Sequence, residues 1–141
     1  MTDTKIEIRR LVFADLPSVI GIERRAFPTP WSLAMFVLEL SKPEGICLAA
    51  RSNDQLVGYI ICSRFDQVWH IMNVSVDPEL QRRGIATSMI DEVLGRVGPE
   101  GQITLEVRPT NSGAIALLGA VPYARAKLVD WRTTVLFGLP G

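Results

Sequence analysis

Charge of one sign is the first thing this chain lacks. Across its 141 residues, 15 lysines and arginines balance 15 aspartates and glutamates. A general nucleic-acid binder needs a basic excess or stripe to neutralise phosphates, and the short pair Arg82-Arg83 does not supply one. Long apolar runs are also missing. None approaches the roughly 20 residues that span a bilayer, so no membrane partner is expected. The opening Met1-Thr2-Asp3-Thr4-Lys5-Ile6-Glu7 has no apolar run of the secretory kind, which makes a cytoplasmic location the expectation. Histidine occurs once, at position 70, and cysteine twice, as Cys47 and Cys62. Without a Cys/His cluster no metal site is expected. Both cysteines sit in apolar runs and read as buried free thiols, a disulfide being disfavoured in a cytosolic chain. Repeats, low-complexity tracts and linkers are absent too. What the chain has in quantity is apolar residues, 48% of the total. That suffices for a core at this length, so residues 1–141 are expected to form one domain.

The pattern alternates strands and helices. Ile6 to Leu11 reads as a short strand. Asp15 is a candidate N-cap with Pro17 in the first turn, and Leu16, Val19, Ile20 and Glu23 follow at helical spacing. That helix ends before Pro28. Leu33 to Leu40 is a second helix, stopped by Lys42-Pro43. Ile46 to Arg51 and Leu56 to Ser63 are β-rich runs around Ser52-Asn53-Asp54-Gln55, whose turn chemistry makes a hairpin. Trp69 to Val76 is a strand ended by Asp77-Pro78. The helix from Gly84 to Val97 carries Ile85, Met89, Val93 and Val97 on one face, and Gly98-Pro99 ends it. Gln102 to Val107 is a strand, Asn111 to Leu118 a brief helix, and Val135 to Leu139 a last strand. The fold class is therefore α/β, a mixed sheet with helices on its faces.

The strand-loop-helix unit from Asn73 to Thr87 carries the chemistry. Amides at a helix start are unpaired and, with the helix dipole, form an anion site. Gly84 removes a Cβ that would block a phosphate, Ala86 is small, and Arg82 and Arg83 add charge. A pyrophosphate fits these features; a turn glycine beside a solvated basic edge fits them as well. The Gly-x-Gly-x-x-Gly of a dinucleotide fold and the Gly-Lys-Ser/Thr of a P-loop are both absent.

Val76-Asp77-Pro78-Glu79-Leu80-Gln81-Arg82-Arg83-Gly84-Ile85-Ala86 after an apolar strand resembles the cofactor motif of the GNAT acetyltransferase superfamily. Four stretches together resemble its RimI-type protein N-terminal acetyltransferases. They are Phe27-Pro28-Thr29-Pro30-Trp31-Ser32, Val57-Gly58-Tyr59-Ile60, the segment from Asn73, and Leu105-Glu106-Val107-Arg108 followed by Asn111. The resemblance covers roughly residues 5 to 118. It implies a mixed sheet of about six to seven strands with a splayed central pair and helices on both faces. It also implies acetyl-CoA as cofactor. The pantetheine arm would lie on the backbone of Val74, Ser75 and Val76, and the pyrophosphate on Arg82, Arg83, Gly84, Ile85, Ala86 and Thr87. Asn111 would be a further cofactor contact and Glu106 the general base. Read without the family, Glu106 is the exposed face of a strand.

The resemblance weakens after Asn111. Where the family carries a tyrosine that protonates the departing thiolate, this chain has Leu118, with Gly119-Ala120 arriving early. Tyr123 is the candidate replacement, with a packing role as the alternative. Around the acceptor, Phe27, Trp31 and Phe36 border the groove in the family, or else pack in the core. Arg108 would meet an acidic peptide group or stand as a surface charge; His70 would relay protons or be structural; Trp69 and Trp131 are packing or groove residues. The acceptor is an amine. At pH 7, deprotonating an α-amine of pKa near 8 costs about 1.4 kcal/mol, against about 4.6 for a lysine. That favours a protein N-terminus, with a small-molecule amine, or cofactor binding without chemistry, as rivals. Monomer and dimer are both open.

Overall fold

The computed structural model describes residues 5–66, 68–81, 84–98, 102–107, 124–129 and 132–137, with side chains through Gly98 and at Thr104. Strand β1 (Glu7–Arg10) leads through a 3-10 turn (Phe13–Asp15) into α1 (Leu16–Ala26) and α2 (Leu33–Leu40). Strands β2 (Ile46–Ser52), β3 (Gln55–Phe65) and β4 (Val68–Val76) follow, then a second 3-10 turn (Pro78–Leu80) and α3 (Ile85–Val97). The chain continues as β5 (Gln102–Val107), β6 (Ala124–Val129) and β7 (Arg132–Phe137). The strand order is β1-β2-β3-β4-β5-β7-β6. All neighbours are antiparallel except β4 and β5, which run parallel.

Local chemistry explains the elements. The β2–β3 hairpin turns on Asn53 and Asp54, both with positive φ (52° and 64°), the conformation asparagine and aspartate tolerate best. Ser32 caps α2 by accepting the Met35 amide. Alternation along the central strands splits the apolar residues between two faces. Leu48, Ile60, Cys62, Ile71 and Val76 meet Ile85, Met89, Ile90, Val93 and Leu94 of α3 on one side. Ala49, Tyr59 and Ile61 meet Leu16, Val19 and Ile22 of α1 and Phe36 of α2 on the other. The architecture is α/β with helices on both faces.

Three expectations need correction. Asp15 does not cap α1: its cap position makes no side-chain hydrogen bond. A 3-10 turn precedes the helix, and the buried carboxylate turns back to accept the Val12 amide at 2.9 Å and two bonds from Arg9 at 2.8 and 3.3 Å. Strand β6 was not expected; Ala124-Arg125-Ala126-Lys127-Leu128 does alternate, but pairing with β7 is what makes it a strand. That same pairing, with β5 on the other side, starts β7 at Arg132 rather than Val135. The expected short helix at 111–118 lies outside the described residues.

In β4, Ile71 pairs with Cys62 but Asn73 pairs with Ile61, so Met72 is one residue too many. This bulge turns two successive side chains to one face. Met72 packs with the α1-side core and Asn73 reaches Glu23 of α1, while Ile71 and Val74 stay with α3.

Candidate active site

Just before the bulge, β4 loses its partner on one side. Its pairing with β5 covers Val68, Trp69 and His70 against Gln102, Ile103 and Thr104, and goes no further. At this last rung, Thr104 Oγ1 and His70 Nδ1 are 2.7 Å apart, and the His70 ring lies 5.3 Å from Phe65. His70 is thus a structural clasp. Beyond it Val74, Ser75 and Val76 remain paired with Ile60, Tyr59 and Gly58 of β3 but not with β5. Among the described residues, backbone polar groups on that side meet no strand partner and, apart from Val76 O, can meet a ligand. The side chains of Ser75 and Val76 are buried, so backbone is what this stretch can offer.

The loop after β4 is pinned at its start. The Asp77 amide donates to Val57 O at 2.7 Å. Its carboxylate accepts two bonds from Arg25 at 3.1 and 3.2 Å and one from the Glu79 amide at 3.1 Å. Gln81 Nε2 donates to Val76 O at 3.2 Å. Gly84 then opens α3 in the left-handed conformation (φ 80°) with no side-chain cap. A Cβ there would meet nothing within 4 Å. Among the described residues, then, it is φ that calls for glycine, and none of them fills the space above it. The Ile85 and Ala86 side chains are in the α3-side core, so their amides face the loop side without a capping side chain. Thr87 is half-buried beside them. An uncapped helix start, an open glycine and a partly unpaired strand edge suit a long anionic ligand with an amide-bearing arm.

The acceptor-side residues fall into two kinds. Phe27 ends α1, donating its amide to Glu23 O at 3.0 Å, and is half-buried. Trp31, partly exposed, stacks at a tilt on Phe36 with centroids 5.1 Å apart. Phe36 itself is fully buried and meets Tyr59 edge-on at 5.8 Å, so it is core and not groove. Trp69 likewise packs against the α3-side core. Glu106 lies in β5, paired with Thr134 of β7, two residues past the last rung shared with β4. Arg82, Arg83, Arg108, Asn111, Leu118, Tyr123 and Trp131 lie outside the described residues.

Sequence reasoning missed a buried polar cluster. Glu23 is 2% exposed, yet it has no cationic partner among the described residues. Its Oε1 accepts the Tyr59 hydroxyl and, at 2.8 Å, Asn73 Nδ2; its Oε2 accepts the Trp31 amide at 2.8 Å. The signal was present: a glutamate at helical spacing among Leu16, Val19 and Ile20 puts a carboxylate on an apolar face.

The thiols need one correction. Cys62 is fully buried, but Cys47 is partly exposed, and both are free. Burial, then Glu39, pushes the Cys47 thiol from 9.0 up to about 11, and burial pushes Cys62 higher still. For Cys47 that means roughly 100-fold less thiolate at pH 8. Alkylation by iodoacetamide at pH 8 should therefore be slow in the native protein and fast in urea. Between pH 9 and 11 the unfolded chain holds fewer protons on Cys47, so this site's contribution to stability falls as pH rises through that window.

Among the described residues no group of three or more His, Cys, Asp or Glu side chains is placed to hold a metal, and no helix is long and apolar enough to cross a membrane.

Comparison with known proteins agrees with this geometry. The profile of the Acetyltransferase (GNAT) family matches residues 16–120. The chain is 33% identical over 129 residues to the N-alpha-acetyltransferase RimI of Mycobacterium tuberculosis, covering 87% of this chain and 81% of that protein. Its fold superposes on the ribosomal-protein-S18-alanine N-acetyltransferase of Escherichia coli with TM-score 0.75 and 23% identity, over 97% of each chain. On the PaiA N-acetyltransferase of Thermoplasma acidophilum, solved with coenzyme A, it superposes with TM-score 0.79 and 16% identity, over 95% of this chain and 99% of that one. The unpaired edge of β4, the uncapped glycine start of α3 and these likenesses converge: the chain belongs to the GNAT family, resembles its RimI-type members, and is an acetyl-CoA-dependent N-acetyltransferase.

Proposed function

We propose that the acceptor is the α-amine of a protein N-terminus and that residues 1–141 work as one GNAT domain in the cytoplasm. The observation that carries the reading is the end of β4–β5 pairing at His70 and Thr104, directly before Val74–Val76 and the start of α3. We read this parting as the splay of a GNAT sheet of six to seven strands. The relatives support the acceptor, since the mycobacterial protein is an N-alpha-acetyltransferase.

When bound, acetyl-CoA supplies a thioester carbonyl and a thiol leaving group. In this reading the backbone of Val74, Ser75 and Val76 holds the pantetheine arm and donates toward the carbonyl oxygen. The amides of Gly84, Ile85, Ala86 and Thr87, with Arg82 and Arg83, hold the pyrophosphate, and Asn111 adds a contact. Glu106 takes a proton from the acceptor's ammonium, through water, and the neutral amine so formed attacks the thioester carbonyl. Phe27 and Trp31 flank the incoming N-terminus, and Arg108 meets an acidic group on it. Tyr123 stands in for the tyrosine that Leu118 replaces; the thiol's pKa near 8.5 makes it a good leaving group without much help.

The test is thiol release from acetyl-CoA with a panel of N-terminal peptides, N-blocked lysine peptides and small diamines. Turnover confined to free N-termini is expected. At pH 7 the gap in amine pKa alone, about 3 kcal/mol, predicts roughly 100-fold or more over lysine. Turnover only on small amines would sink the assignment, as would acetyl-CoA binding without turnover on any amine.

A further inference from the structure

Glu23 is buried without a cation among the described residues, and the proton transfer proposed above does not use it. A buried carboxylate in that state is tolerated only when hydrogen bonds satisfy it. The donors come from different parts of the molecule. Tyr59 is on β3, Asn73 sits on β4 immediately after the bulged Met72, and the Trp31 amide belongs to the segment joining α1 to α2. A single side chain of α1 thus ties the Trp31 segment to the strand that runs past the acyl site.

We infer that Glu23 is a positioning residue. Its carboxylate sets the distance between the Trp31 wall, against which the acceptor lies, and the bulged strand β4, against which the thioester lies. This rests on the proposed placement of acceptor and cofactor. The chemistry explains why a carboxylate is used. Three donors converge on two oxygens, and a carboxylate offers four lone-pair sites and no competing hydrogen. Glutamine in the same place puts an NH2 group against at least one of those donors. The segment that loses its acceptor then moves, and a shift of about 1 Å between reacting groups costs as much as 100-fold in rate.

The experiment compares wild type, Glu23→Gln, and the double variant Glu23→Gln/Asn73→Asp. In the double variant the new side-chain amide at position 23 donates to the new carboxylate at position 73. The Tyr59 hydroxyl donates to that same carboxylate, and the amide oxygen at position 23 accepts the Trp31 amide, so the Tyr59 and Trp31 donors are both satisfied again. Acceptor KM, kcat, acetyl-CoA Kd and hydrogen exchange at the Trp31 amide are measured on the folded protein. In Glu23→Gln, acceptor KM should rise about 10- to 100-fold, Trp31 exchange should speed up, and acetyl-CoA Kd should not change. The double variant should recover most of the lost KM and the Trp31 protection. Unchanged KM and exchange in Glu23→Gln would overturn the inference. So would equal losses in acceptor and cofactor parameters that track the melting temperature, or a double variant no better than the single. If wild type acetylates no peptide, the proposed acceptor is wrong. The inference is then judged on Trp31 exchange and its recovery against constant acetyl-CoA affinity, and fails if the amide stays protected in Glu23→Gln.

Discussion

Gly84→Glu should weaken acetyl-CoA binding by about 10²- to 10³-fold, as read by calorimetric titration. Two effects add. Gly84 has φ 80°, a conformation that costs an L-residue about 1–2 kcal/mol. The new carboxylate would also stand at the start of α3, where the uncapped amides are proposed to receive the pyrophosphate. At about 4 Å and an effective dielectric near 20, repulsion between unit charges is about 4 kcal/mol. Gly84→Ala separates the two: it keeps the strain without the charge, and no described residue stands within 4 Å of the added methyl group. It should lower the melting temperature while changing acetyl-CoA affinity less than about tenfold. Wild-type affinity in Gly84→Glu would remove the loop from the cofactor site.

Glu106→Gln should leave acetyl-CoA affinity unchanged and lower kcat with an N-terminal peptide by about 10²- to 10⁴-fold, the usual worth of a general base. Glutamine has nearly the same size and cannot take a proton. Glu106 lies where β5 no longer pairs with β4, so an amide there breaks no bond between those two strands. Binding and turnover should therefore separate, measured by titration and by thiol release. A small loss, with the rate still rising with pH as the acceptor amine of pKa near 8 deprotonates, would mean that water alone takes the proton.

These two predictions stand on different kinds of legibility. Gly84, the loop and the helix after it were readable because they are contiguous: a strand, a glycine that must turn and an apolar stripe four residues apart fall within residues 74–97. Helix α2 fell where Ser32 and Lys42-Pro43 put its ends, and the β2–β3 hairpin where Asn53 and Asp54 allow positive φ. Asp15 misled because a capping residue looks the same in sequence whether it faces the following helix or the preceding turn. Strand β6 was passed over because short alternation is weak evidence until a partner strand is known.

By itself the sequence determined the α/β class, the apolar face of α3 and the glycine that opens that helix, since each depends on periods of two to four residues or on one local residue. Tertiary structure alone decided the rest. Only the pairing register reveals that Met72 is an extra residue and that β4 and β5 part after His70 and Thr104. And only packing brings Glu23, Tyr59 and Asn73 together, 36 and 50 positions apart in the chain. No local period encodes such distances; they follow from how a bulged strand and a helix meet across the sheet.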